Sequence, residues 1–184
     1  MPPCSQSESD AAGMENIMNI PHIPNHSLPY PPTDGIMKDT RLINDTCSAR
    51  VSELAAISDY SYYSLIFEEH FPLASELFDK IAMTEMHHFR LLGEMGMKFG
   101  GNPFVRLRLA NDPVSLPLGD HGAHVLRHVL EAMIECELRA RDKYARLADV
   151  CRGDVCASAV FERLSADEDH HARMLSRLLD EFVG

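Results

Sequence analysis

The chain has 184 residues, enough for one domain with a real core, and a hydrophobic content of 45% argues against general disorder. A formal net charge of −11 disfavours nucleic acid and anionic membrane surfaces as partners, and no apolar run approaches the length of a membrane span. The start of the chain lacks the basic and apolar regions of a secretory signal, and the five cysteines (Cys4, Cys47, Cys136, Cys151, Cys156) never form Cys-x-x-Cys, which argues against a disulfide framework and a zinc ribbon and leads to the expectation of a cytoplasmic protein with reduced thiols.

Residues 1–39 are rich in Pro, Ser and Asn, and proline interrupts each short apolar run (Pro21, Pro24, Pro29, Pro31, Pro32). An extended arm is expected there, packed over the remainder of the chain or over a neighbouring subunit. A first helix is expected over about 40–70, where Val51, Leu54, Ile57, Ser61, Ser64 and Phe67 recur at three- and four-residue steps, with Pro72 ending it. A second spans about 73–98 and stops at Gly100-Gly101-Asn102-Pro103. Pro103, Pro113, Pro117 and Gly119 mark a long connection, which lets the third helix, about 121–150, run parallel to the second. The short Arg152-Gly153-Asp154 turn places the fourth helix, about 155–182, antiparallel to the third. No segment shows strand alternation. The fold class is all-α, with residues 40–184 forming a four-helix bundle.

The segment Glu85-Met-His-His88 recurs 83 residues later as Glu168-Asp-His-His171. A carboxylate and an imidazole three residues apart share one helix face. Glu53 lies 32 residues before Glu85, and Glu137 lies 31 before Glu168. Tyr60 and Tyr144 each follow the lone glutamate of their half by seven residues. The chain therefore reads as a duplicated helical hairpin.

These glutamates fall on apolar stripes. Glu85 and His88 sit among Phe78, Ile81, Leu92 and Met95, and Glu168 and His171 among Phe161, Leu164, Leu175 and Leu178. Glu53 shares a face with Ile57, Tyr60, Ser64 and Phe67; Glu137 shares one with Leu130, Met133, Ile134, Tyr144 and Ala148. Glu131 and Glu135 group instead with Leu138, Arg139 and Asp142 on a solvated face. A buried carboxylate needs a positive partner. Arg141, one turn from Glu137, could serve one of the four, whereas two divalent metals would balance all four and accept two neutral histidines as further ligands. Glu53, Glu85, His88, Glu137, Glu168 and His171 are the candidate metal ligands. The symmetric placement of Tyr60 and Tyr144 suggests hydrogen bonds behind that shell, with core packing as the alternative. His87 and His170 are rotated about 100° from the ligands and expected in solvent. His121, His124 and His128 read as a polar helix start, with a surface metal site as the alternative. Cys151 and Cys156 flank the short turn and are expected to be reduced.

These motifs resemble those of the ferritin-like superfamily, in the branch containing rubrerythrins and manganese catalases, and most of all those of small single-domain bacterial ferritin-like proteins. The likeness rests on Ser52-Glu53-Leu54 with Tyr60, Glu85-x-x-His88 followed by Gly100-Gly101-x-Pro103, Glu137 with Tyr144, and Asp167-Glu168-x-x-His171, and spans about residues 40–182. It implies a ferritin-like bundle with a long crossover and a dinuclear centre of two iron or manganese ions on those six ligands, with Glu85 and Glu168 bridging and Glu53 and Glu137 terminal. Glu53, Glu137, Tyr60 and Tyr144 are the candidate catalytic residues, the acids as proton relays. It further implies an oxidoreductase acting on hydrogen peroxide, catalase-like or rubrerythrin-like, the alternatives being a ferroxidase using dioxygen or peroxide and a non-enzymatic, metal-stabilised assembly protein. Two departures stand out. The paired Cys-x-x-Cys of a rubredoxin domain is missing, so a separate electron-donor protein is expected. Ala140 occupies the place where some rubrerythrins have a further carboxylate. A homodimer involving the arm is also expected.

Overall fold

A computed structural model describes residues 29–105 and 121–183. Within them a 3-10 turn at Thr40–Leu42 leads into α1 (Ile43–Phe67), followed by α2 (Pro72–Phe99), α3 (Gly122–Val150) and α4 (Val155–Val183). No strand occurs among the described residues. Most of the arm before Pro29, including Cys4, lies outside them, as do residues 106–120 of the expected crossover.

The helix boundaries follow local chemistry. Asp39 starts the first turn by accepting from the Arg41 backbone N–H. α1 ends at Phe67, earlier than expected, and Pro72 does not end it but begins α2. Proline has no N–H to donate, and its fixed φ suits the first position of a helix. α2 ends at Gly100, whose φ of 100° is left-handed and whose N–H closes on Met97 O at 3.0 Å. At the other hairpin turn, the Asp154 carboxylate accepts from Ala157 N–H at 3.0 Å, at the start of α4, and from Met37 N–H of the arm at 2.7 Å.

The helices pack closely in pairs, α1 with α2 and α3 with α4. The seam between the hairpins is filled by side chains in three layers. At one end lies an apolar cluster built on Phe67, Leu77, Phe78, Leu126, Leu130 and Leu175. At the other lies a cluster built on Leu92, Phe99, Leu147, Val160, Phe161 and Leu164, which the arm joins through Ile36. The glutamates and histidines occupy the layer between. The end of α2 and the start of α3 belong to opposite clusters, so these helices run parallel. On α1 the buried stripe is Ala49, Glu53, Tyr60 and Phe67; Val51, Leu54 and Ile57 are only half-buried, because the fully buried line runs through the glutamate and the tyrosine.

Asp154 serves a helix start and the arm together. Asp154→Ala is expected to lower the free energy of urea unfolding by about 1–2 kcal/mol, with Asp154→Asn keeping most of it, because asparagine can still cap.

Candidate metal centre

The duplicated motif places one glutamate on α1, one on α3, and a glutamate with a histidine one turn on in each of α2 and α4. All six side chains converge in the middle layer, and none is more than 4% exposed. His88 Nδ1 lies 3.2 Å from Glu85 Oε2, 3.1 Å from Glu168 Oε1 and 3.8 Å from Glu53 Oε2. His171 Nδ1 lies 3.0 Å from Glu85 Oε1, 3.3 Å from Glu168 Oε2 and 3.6 Å from Glu137 Oε2. Glu85 and Glu168 thus offer one oxygen to each histidine, while Glu53 and Glu137 each face a single one.

Two overlapping groups of four donors result: Glu53, Glu85, His88 and Glu168, and Glu85, Glu137, Glu168 and His171. In each group the donor atoms lie within 4.8 Å of one another. Hydrogen bonding accounts for part of this crowding: each Nδ1 meets an oxygen of its own helix's glutamate, at 3.2 Å for His88 and 3.3 Å for His171. Glu85 Oε1 and Glu168 Oε1, however, are buried without a hydrogen-bond partner, although a histidine nitrogen lies close to each. Oxygens drawn into the centre without a hydrogen bond suit a shared cation. Carboxylate and imidazole ligands in this number suit a pair of iron or manganese ions.

The electrostatics lead to the same conclusion. Burial pushes the Glu137 carboxyl up to about 8, and the charge on Glu168 adds to the effect. Burial also holds Glu53 well above the usual carboxylate range, with Glu85 contributing. For Glu85, burial opposes ionisation, but the charge on His88 and the contacts with Glu53 and His171 outweigh it and keep the carboxyl well below its ordinary value. Glu168 behaves alike: burial and Glu85 push it up, and the two histidines bring it below. Burial disfavours both imidazoliums, yet the facing carboxylates raise His88 and His171 well above their ordinary values. Two carboxyls and two imidazoles are therefore biased towards their protonated forms, which offsets the charge on Glu85 and Glu168. Two divalent cations would take over that role.

Tyr60 and Tyr144 do bond behind the ligand shell, but across the seam. Tyr60 OH donates to Glu137 Oε1, and Tyr144 OH donates to Glu53 Oε1. Seven residues of helix separate each tyrosine from its own glutamate by about 10 Å, so only the opposite half can supply the partner. The bonds occupy Oε1 of each outer glutamate and leave Oε2 facing a histidine.

Other expected residues fall elsewhere. Arg141 does not reach Glu137; it pairs with Asp142 and Asp169 near the surface, where its charge keeps its hydration. His87 is exposed, as expected, whereas His170 is half-buried and its imidazolium is disfavoured by burial. Glu131 and Glu135 are exposed. His124 and His128 are exposed and meet each other at 3.0 Å between Nε2 atoms. Cys151 and Cys156 are free thiols.

Asp167 is the residue the duplicated pattern did not select. It is fully buried, lies 3.3 Å from His88 Nε2 through Oδ2, and accepts from Arg163 Nε at 3.2 Å. Its repeat counterpart is Thr84, so the repeat gave no reason to choose it. Buried aspartate one turn after a buried arginine was the available signal.

Access comes from the other side. A cavity of about 330 Å³ between α1 and α3 is lined by Glu53, Tyr60, Glu85, Glu137, Tyr144 and Glu168 and passes Asp59, Cys136 and Lys143 towards the surface. It admits a small inorganic molecule or a hydrated ion to the carboxylate face. No helix of the described residues is long and apolar enough to cross a membrane.

Comparison with known proteins agrees with this architecture. Two solved bacterioferritins are similar in structure. The one from Desulfovibrio desulfuricans, described with its diiron site in different catalytic states, has a TM-score of 0.62 at 24% identity, over 76% of this chain and 78% of that one. The one from Rhodobacter capsulatus, described with a metal-free dinuclear site and haem iron, has a TM-score of 0.63 at 24% identity, over 80% of this chain and 88% of that one. A search of curated protein sequences found no match. The ferritin-like domain family matches residues 49–183, which covers all four helices and all six candidate ligands, and the chain belongs to that family.

Proposed function

We propose that this chain is a dinuclear iron oxidoreductase that oxidises Fe(II) with dioxygen or hydrogen peroxide. The observation that carries the reading is the pair of overlapping four-donor groups sharing Glu85 and Glu168. Glu53 and His88 complete one metal position, and Glu137 and His171 the other. A diiron pair held by these residues would supply the two electrons that an oxygen substrate needs. For peroxide the balance is two Fe(II), one H2O2 and two protons giving two Fe(III) and two waters. The likeness to bacterioferritins, one of them described with a diiron site, supports iron over manganese.

The chain's own groups hold the geometry and the protons. Tyr60 and Tyr144 fix the rotation of the two outer glutamates, so that Oε2 of each points into the centre. Glu53 and Glu137 line the cavity, and burial raises the affinity of both carboxylates for a proton, which suits them, once metal has displaced their own protons, to take up and hand on those that a reduced oxygen needs. The apolar layers above and below exclude bulk water from the histidine side. Catalase-like or peroxidase-like turnover is the second reading. It is favoured by the same cavity, which admits peroxide to all four carboxylates, and reduction between turnovers would then fall to peroxide itself or a separate electron-donor protein.

The discriminating experiment loads the protein anaerobically with two Fe(II) per chain and adds dioxygen or hydrogen peroxide in turn. Fe(III) absorbance rising well ahead of free Fe(II) in buffer supports the oxidase reading; steady release of oxygen from peroxide supports the catalase-like one; neither would overturn both. Tyr60→Phe and Tyr144→Phe are each expected to slow the oxidation about tenfold. Glu85→Ala and His171→Ala should bind fewer than two metals per chain by elemental analysis, and full occupancy in either would refute the ligand assignment. Loading at pH 7 should release protons into a weakly buffered solution, since metal displaces those held by the raised carboxyls and imidazoles. Release of none would contradict the charge balance.

A further inference from the structure

The two halves of the centre match in their ligands and differ behind their histidines. His88 has its outer nitrogen on Asp167: Nε2 lies 3.3 Å from Oδ2. His171 Nε2 is equally buried and finds no hydrogen-bond partner among the described residues. The repeat explains the inequality. Asp167 corresponds to Thr84 and Arg163 to Lys80, each 83 residues apart. The Thr84 hydroxyl bonds back to Lys80 O of its own helix at 3.3 Å, and Lys80 pairs with Glu76 at 2.8 Å.

A third group joins this arrangement from outside the bundle. Tyr30, in the arm, donates its OH to Asp167 Oδ2 at 2.8 Å, the same oxygen that lies against His88. Its ring lies under the Arg163 guanidinium, 4.5 Å from the centroid, and packs against His87 and edge-on to His88 at 5.9 and 6.1 Å. Burial pushes the Tyr30 hydroxyl up to about 12, so it remains a donor. The arm beyond it is tethered: Thr33 Oγ1 donates to Glu94 at 3.3 Å, Met37 N–H donates to Asp154, and Ile36 is buried in the core. Tyr30 thus closes the α2–α4 side of the centre, while the cavity opens on the α1–α3 side.

We infer that Tyr30 is a positioning residue for the metal position built on Glu53 and His88, acting through Asp167. An aspartate holding the Nε2–H of a histidine fixes its tautomer and leaves Nδ1 for a metal, and Nδ1 is the nitrogen that faces the carboxylates here. Arg163 balances the buried charge of Asp167. The tyrosine hydroxyl fixes the rotation of the carboxylate, so that Oδ2 stays against His88. Among the described residues the centre therefore has one position braced by the arm and one without such bracing, and its two metals bind unequally. This rests on the proposed metal centre but not on its redox chemistry.

The test uses Co(II), followed by visible absorbance and calorimetry, with the full chain. The wild type is expected to take up two ions in two distinguishable steps. Tyr30→Phe keeps the ring packing and loses only the hydroxyl; it should weaken one step about tenfold and leave the other unchanged, and Asp167→Asn should weaken the same step by up to about 100-fold. In zinc-loaded protein, the His88 Nε2–H should exchange with solvent faster in Tyr30→Phe, a change that loss of general stability would not confine to one histidine. Two unchanged steps in Tyr30→Phe, or equal weakening of both, would overturn the role given to Tyr30 with the centre intact. Failure of the wild type to bind cobalt would overturn the metal centre itself, and the inference with it.

Discussion

Six ionisable side chains are buried in one layer of this bundle, and the rest of the structure is organised around making that tolerable. An isolated buried charge costs several kcal/mol, so each of these groups must share a proton, a hydrogen bond or a cation with a neighbour. Two apolar clusters, one on each side, close the layer off along the bundle axis, so that water meets it through the cavity between α1 and α3. The hairpins pack tightly within themselves and meet across the polar seam. The tyrosine–glutamate bonds run from each hairpin to the other, so the same contacts that orient the outer carboxylates also join the halves. Stability and site geometry cannot be varied independently here.

The centre has two unlike faces. Carboxylates line the cavity between α1 and α3, where a small oxidant or an ion can enter. Histidines, Asp167 and Arg163 occupy the side between α2 and α4, and Tyr30 covers them. Placing the carboxyls at the entrance and the imidazoles behind offers an entering cation oxygen donors first and keeps the nitrogen donors away from solvent.

Much of this was legible in the residues alone. The helices, the parallel run of α2 and α3, and the gathering of Glu53, Glu85, His88, Glu137, Glu168 and His171 follow from periodicity and duplication, because ligand spacing on a helix is a local property. What escaped was non-local or not repeated. The exchange of tyrosine partners depends on how the hairpins oppose each other. Asp167 and Tyr30 have no symmetric counterparts, and Tyr30 reaches Asp167 across 137 positions of chain. Proline suits the end of one helix and the start of the next equally well, and only the four-residue turn between Phe67 and Pro72 decides for the start. Arg141 is near enough to Glu137 in sequence to serve it, whereas hydration favours the surface aspartates Asp142 and Asp169.

The difference between Thr84 and Asp167 has a meaning for how such a centre arises. Two copies of one hairpin, paired as separate chains, must carry the same residue at that position in both, and every change behind one histidine is imposed on the other. Joining the copies in a single polypeptide removes that restriction. The ligand shell here retains the symmetry of the duplication, while the groups behind it have diverged, and a single arm at one end of the chain can serve one half only. A single chain that carries the hairpin twice can therefore give the two places of one site different surroundings.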